Sequence, residues 1–208
     1  MLGLNPKELK LFRKLKTPIQ IQNFLDSMPM NHEKGGETHR SPRYALKAKK
    51  AHCIEGALIA ATALWVNGEE PLLLDLVSVE EDDDHVVTLY KRNGHWGAIS
   101  KTNHPGLQYR DPIYKTIREL AVSYFHEWYF FIDGIKTLRT YSKPLNLKKL
   151  GSEWITAEGD LWFIDSWLEK LPHYRLFPKE NQKFIRNARW FERQAAKREE
   201  WLESDPRT

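Results

Sequence analysis

Cys53 is the single cysteine of the 208-residue chain. It opens the run CIEGALIAATALW, which has helical length, is rich in Ala and Leu, and is almost uncharged. Unpaired N–H groups and the dipole at a helix start favour an anion, so a thiol there is expected to fall below its usual pKa of about 8.5. Lys49 and Lys50, just upstream, add positive charge. A thiolate so placed is a nucleophile for acyl carbon. The plainer alternative is a small buried hydrophobe among Ala and Ile. His85 tilts the balance toward chemistry. It follows Asp82-Asp83-Asp84 and opens the alternating run HVVTLYK, so a strand start carries an imidazole that can reach the amino end of a helix on the same sheet and accept the thiol proton. Seven other histidines compete (His32, His39, His52, His95, His104, His126 and His173), but only His85 joins the strand to this order.

Two cation sites compete with this pair. Glu80 to Asp84 puts five carboxylates in one turn, but without the D-x-[DN]-x-[DN]-G spacing of a calcium loop. A solvated acidic turn whose field favours a protonated His85 is the better expectation. Zinc on His52, Cys53 and His85 lacks the paired-ligand spacing, and adjacent helix residues point about 100° apart. No metal and no cofactor is expected.

The elements that must hold the pair are legible around it. Asn5-Pro6 and Thr17-Pro18 read as two helix starts. Residues 30–43 are polar and contain Gly35, Gly36 and Pro42, a loop long enough to be functional. Asn67-Gly68 closes the cysteine helix. PLLLDLVSV and HVVTLYK are strands, and Asn93-Gly94 turns the second into HWGAIS as a hairpin. A helix is expected from Asp111-Pro112, with Ile113, Ile117, Leu120, Ala121, Tyr124 and Phe125 on one face. Residues 138–147 are expected to be extended, 160–171 a short helix, and 180–203 a long charged helix anchored by Trp190, Phe191 and Trp201. Strands grouped between helices indicate an α+β fold.

Composition sets the bounds. Hydrophobic residues make up 41% and charged residues 29%, which is globular rather than disordered. A net charge of +4, concentrated at Lys7–Lys16 and Arg40–Lys50, lacks the dense stripe of a nucleic-acid binder. One cysteine forbids an internal disulfide and suits a reducing cytosol, so a cytoplasmic location is expected. No stretch approaches about 18 uncharged apolar residues, so no membrane span is expected.

The stretch AHCIEGALIAATALWVNGEEPLLLDL resembles the cysteine helix and first strand of the transglutaminase-like superfamily, within the papain-like fold. HVVTLYKRNGHWGAIS resembles its histidine strand and hairpin partner. HCIEGALIAA, DDDHVVTLY and WGAISKTNHPGLQYRDPIY look, more closely, like a group of uncharacterised bacterial proteins with a transglutaminase-like domain. The likeness covers roughly residues 45 to 115, and the closer one extends to about 147. It implies a papain-like core with a central cysteine helix on a small antiparallel sheet. Residues 1–150 would form that domain with its N-terminal helices, and 151–208 a helical extension packed on it or projecting from it. Cys53 matches the family nucleophile and His85 its general base. The family's acid falls here on or near Ser100, which carries no charge. Asn103 could orient the imidazole in its place, with Asp75, Asp84 and Asp111 as fallback acids. The Cys53 N–H could hold an oxyanion. A Gln upstream of the nucleophile, as papain-like enzymes use, is missing after Gln22. Trp96 reads as core before cleft wall. Glu55 reads as a helix-start charge, or less favourably as a partner of Arg110 or Lys101. The implied function is a cysteine-dependent peptidase, amidase or acyl transferase acting on a peptide or protein amide. The alternative is an inactive copy of the fold that binds a protein partner through its C-terminal helix.

Overall fold

A computed structural model of the chain describes residues 2–196. Helices α1 (Pro6–Lys14) and α2 (Pro18–Asp26) begin at capping boxes, Asn5 with Glu8 and Thr17 with Gln20. Each such cap is worth about 1 kcal/mol. The polar loop that follows gives way at Ser41 to a short helix, α3 (Pro42–Ala48), where the sequence suggested only loop. Pro42 is that helix's first residue rather than a loop marker.

The cysteine helix α4 (Cys53–Val66) is buried on every side from Ile54 to Leu64. It is apolar all round, which is why it forms the centre and not the surface of the molecule. Leu58, Ile59 and Leu64 are fully buried, each worth about 1.5–3 kcal/mol. Gly56 and four alanines let neighbours approach closely. A Cβ at Gly56 would lie 2.3 Å from Lys101 Cβ. Thr88 Oγ1 donates to Ala57 O at 2.6 Å and pins the helix to the sheet.

That sheet is antiparallel at every strand pairing among the described residues and larger than the three strands expected. Its strands are β1 (Leu72–Val77), β2 (His85–Arg92), β3 (His95–Ile99), β4 (Arg110–Tyr114), β5 (Thr140–Ser142), β6 (Leu145–Asn146) and β7 (His173–Arg175). They run in the order β4-β3-β2-β1-β5-β7, with β6 also paired to β1. Asn93 and Gly94 both have positive φ, 47° and 82°, as a tight right-twisted hairpin requires. Side chains alternate along the strands. Leu73 and Val86 pack toward α4. Leu74, Leu76, Val87 and Leu89 pack on the opposite face with Leu120, Tyr124 and Trp128.

The architecture is α+β. Two expectations differ from it. The helix predicted from Asp111 is edge strand β4 followed by α5 (Ile117–Val122), whose start is the Thr116–Glu119 capping box. Pro112 is tolerated because β4 pairs only with β3 and an edge strand can spare an N–H. The helix predicted over 180–203 is a 3₁₀ segment, Lys179–Phe184, an extended link, and α7 (Trp190–Ala196). Ala188 in that link donates to Gly134 O at 2.8 Å, so tertiary pairing breaks the helix. Residues 197–203, including Trp201, lie outside the described residues. The helix over 160–171 forms as α6 (Trp162–Lys170), and its Ile164 and Leu168 pack against the cluster around α4. Among the described residues, no helix is long and apolar enough to cross a membrane.

Candidate functional site

Cys53 occupies the first turn of α4, after His52 as N-cap. The buried carboxylate of Glu55 organises this end. It accepts hydrogen bonds from His52 N (3.2 Å), Thr38 Oγ1 (2.9 Å), Arg40 N (3.2 Å) and Asn31 Nδ2 (3.3 Å). Glu55 is therefore a helix-start charge that ties the 30–41 loop onto α4. It does not meet Arg110, which pairs with Glu127 at 3.7 Å, or Lys101, whose Nζ donates to Leu25 O and Met28 O. His52 Nε2 donates to Thr38 O at 2.5 Å, which leaves Nδ1 as an acceptor 3.9 Å from Cys53 Sγ. Glu33 and Glu55 approach the same imidazole at 3.5 and 3.7 Å.

The thiol does not follow the helix-start expectation. Burial pushes its pKa up to about 11, and the Asp75 and Glu33 carboxylates push the same way, against the Val86 and Ile54 N–H groups facing the sulfur. Removing water from a thiolate outweighs one helix end when acidic groups surround it. Cys53 rests as a neutral thiol.

His85 is buried where β2 begins. Its Nε2 lies 2.8 Å from Ser100 Oγ. The Ser100 hydroxyl donates its own proton to Leu107 O at 2.6 Å, so it accepts from His85 and fixes the proton on Nε2. Nδ1 keeps the lone pair. Burial pulls the imidazole down to about 3, helped by His104 and Arg110. The acidic turn does not hold it protonated, because burial outweighs its field and two of its carboxylates face other donors. Asp82 accepts from Trp128 Nε1 and Thr137 Oγ1, and Asp84 from Ser78 N. Trp128 stands edge-on to His85, ring centroids 6.1 Å apart.

Ser100 is itself clamped. Gln22 Nε2 donates to Ser100 O at 2.8 Å, and Gln22 Oε1 accepts from Ser100 N at 3.0 Å. Gln22 is thus a backbone clamp in the core. Asn103, 9% exposed, does not orient His85; its side chain takes no hydrogen bond from any described residue and borders the cavity. Asp111 is exposed on β4. Trp96 lies against Lys91, away from the site. Trp128, Tyr129 and Phe131 line one cavity at the site and Trp162 the other, and the sequence singled out none of them.

Cys53, His85 and Asn103 border one cavity of about 200 Å³, which Trp128 and Leu107 also line. No hydrogen bond joins Cys53 to His85, and the sulfur lies 3.9 Å from Nδ1 of His52. Cys53 also borders a second cavity of about 810 Å³ running toward α6. Among the described residues, no three His, Cys, Asp or Glu side chains are grouped to hold a metal ion. No protein-family model matches the chain, and no curated protein matches it.

Proposed function

We propose that this chain is a cysteine-dependent amide-bond enzyme with a transglutaminase-like, papain-like core, Cys53 as nucleophile and His85 as base. The observation that carries it is the hydrogen-bond relay from His85 Nε2 to Ser100 Oγ to Leu107 O. That relay leaves Nδ1 unprotonated on an imidazole that lines the same cavity as Cys53. A neutral thiol beside a neutral imidazole works by general base catalysis. As Sγ bonds to the carbonyl carbon, its proton passes to Nδ1 and the carbonyl π pair moves onto oxygen. The Cys53 N–H at the helix start and the unpaired Asn103 amide are the donors for that oxyanion. Collapse breaks the C–N bond, and the imidazolium gives its proton to the departing amine. Water or a second amine then releases the thioester, again losing a proton to His85. Ser100 supplies orientation without charge, so the imidazolium is less stabilised than by a carboxylate.

The contact of Cys53 Sγ with His52 Nδ1 supports a second assignment, in which His52 takes the proton and Glu33 and Glu55 stabilise the imidazolium. The raised thiol and the missing acid support a third, an inactive fold that binds a partner. A burst assay with p-nitrophenyl acetate separates them. The expected result is stoichiometric acetylation of Cys53, lost in Cys53→Ala and slowed about 10²–10⁴-fold in His85→Ala. A larger loss in His52→Ala than in His85→Ala moves the base to His52. No burst in the parent protein removes the enzyme.

A further inference from the structure

The larger cavity at Cys53 is acidic although the chain carries a net charge of +4. Carboxylates reach it from the 30–41 loop, from β1, from the turn before β2 and from α6, and no Lys or Arg borders it among the described residues. On α6, Trp162, Asp165 and Glu169 are spaced three and four residues apart, so all three line one side of the helix and all three border the cavity. Trp162 is 42% exposed and stacks on His39, ring centroids 3.9 Å apart.

Asp75 supplies an independent sign. It borders the cavity, is 6% exposed, and its carboxylate receives no hydrogen bond from any described residue. Its nearest basic group is His173 Nε2 at 3.6 Å. The other ring nitrogen of His173, Nδ1, donates to Leu171 O at 2.8 Å. Nε2 is likewise without a hydrogen-bond partner. The Asp75 carboxylate thus meets His173 only at 3.6 Å, beyond hydrogen-bond distance, and keeps acceptor capacity toward the cavity it borders. An N–H-rich cation in the cavity would supply donors to that carboxylate.

We propose, resting on the enzyme reading above, that the cavity recognises an amide substrate carrying an ammonium or guanidinium group, that is, a Lys- or Arg-containing peptide. The cation enters between α6 and the acidic turn, lies against the Trp162 indole, and donates toward Asp75. An indole face and several carboxylates suit an organic cation. A metal ion needs three close ligands, and none of the described residues form such a group.

The test is protection of Cys53 from a small neutral disulfide, hydroxyethyl disulfide, at pH 9 and fixed ionic strength. Tetra-arginine, tetra-serine and tetra-glutamate are compared as protectants on the full chain. The expected result is at least fivefold slowing by tetra-arginine at submillimolar concentration and none by the other two. Protection should weaken with added salt and be lost in the doubly substituted Asp165→Asn/Glu169→Gln protein, whose side chains lie at the cavity edge and whose folding is checked by thermal melting. Equal rates with all three peptides, or protection that survives that double substitution, overturn the inference. The acetylation burst reports on the enzyme separately. A burst without arginine protection keeps the enzyme and removes the cationic substrate, and protection without a burst does the reverse.

Discussion

The resting thiol gives the sharpest quantitative expectation. Burial sets Cys53 at about 11, against about 8.5 for a free cysteine. At pH 7 the thiolate fraction is then about 10⁻⁴, where a free thiol has about 3 × 10⁻². Population alone slows attack on a disulfide about 300-fold. A more basic thiolate is intrinsically more nucleophilic, and a Brønsted slope of about 0.4–0.5 over 2.5 units returns about tenfold to twentyfold. The net expectation is a second-order rate with hydroxyethyl disulfide about 20-fold below that of a cysteine peptide at pH 7. The rate should rise tenfold per pH unit well past pH 9, where the peptide has levelled off. Mass spectrometry of this one cysteine follows it without ambiguity. A rate that levels off below pH 8, or exceeds the peptide's at pH 6, would show a preformed thiolate–imidazolium pair and refute the claim that desolvation and acidic neighbours outweigh the helix start.

Three further outcomes follow from the packing. Gly56→Ala should cost net stability despite a gain of about 1 kcal/mol in helix propensity. The new Cβ falls 2.3 Å from a Lys101 stem whose ammonium is tied to Leu25 O and Met28 O; such overpacking costs about 1–3 kcal/mol, read from the urea midpoint. Gln22→Ala strips partners from both Ser100 N and Ser100 O, a loss of about 2–6 kcal/mol at about 1–3 for each buried group. The same substitution should blunt the acetylation burst, because the Ser100 hydroxyl holds His85. Asp75 is pushed up to about 7, mainly by burial and then by the Asp84, Asp165 and Glu169 carboxylates. Its folded-state pKa lies above the unfolded value of about 3.9, so the folded chain binds more protons between these values and stability falls as pH rises from 4 to 7, by at most about 4 kcal/mol. Asp75→Asn should remove that slope, matching the parent near pH 4 and exceeding it at pH 8 in thermal unfolding.

Local chemistry carried much of the frame. The almost uncharged Ala and Leu run could only be a buried helix, and α4 is one; Asn93-Gly94 between β-branched runs could only be a tight hairpin, and β2 and β3 pair across it. Asn5-Pro6 and Thr17-Pro18 carry their caps within four residues, so their helix starts needed no distant information. Where local signals competed, they misled. Asp111-Pro112 has the look of a helix start, but pairing with β3 claims those residues for a strand, and the apolar face beyond them begins its helix only at the Thr116 cap. The 180–203 segment has helical composition, but the bond of Ala188 to Gly134 O interrupts it.

The sequence by itself determined that one nucleophilic side chain sits at a helix start and that an imidazole opens the strand β2. Those facts depend on neighbours in the chain. What the site can do with them was decided by tertiary structure. Gln22 grips Ser100 from 78 residues away, and nothing in its own neighbourhood marks it. Ser100 owes its role to Leu107 O, which takes the hydroxyl proton and so sets the tautomer of His85. The direction of the Cys53 shift could not be read from the helix start, because it is set by how much water the fold removes and by Asp75 and Glu33, which arrive from other elements. The acidic wall of the larger cavity likewise exists only once α6 is folded beside β1 and the turn before β2. Desolvation and through-space charge depend on distance in three dimensions, and spacing along the chain does not encode that distance.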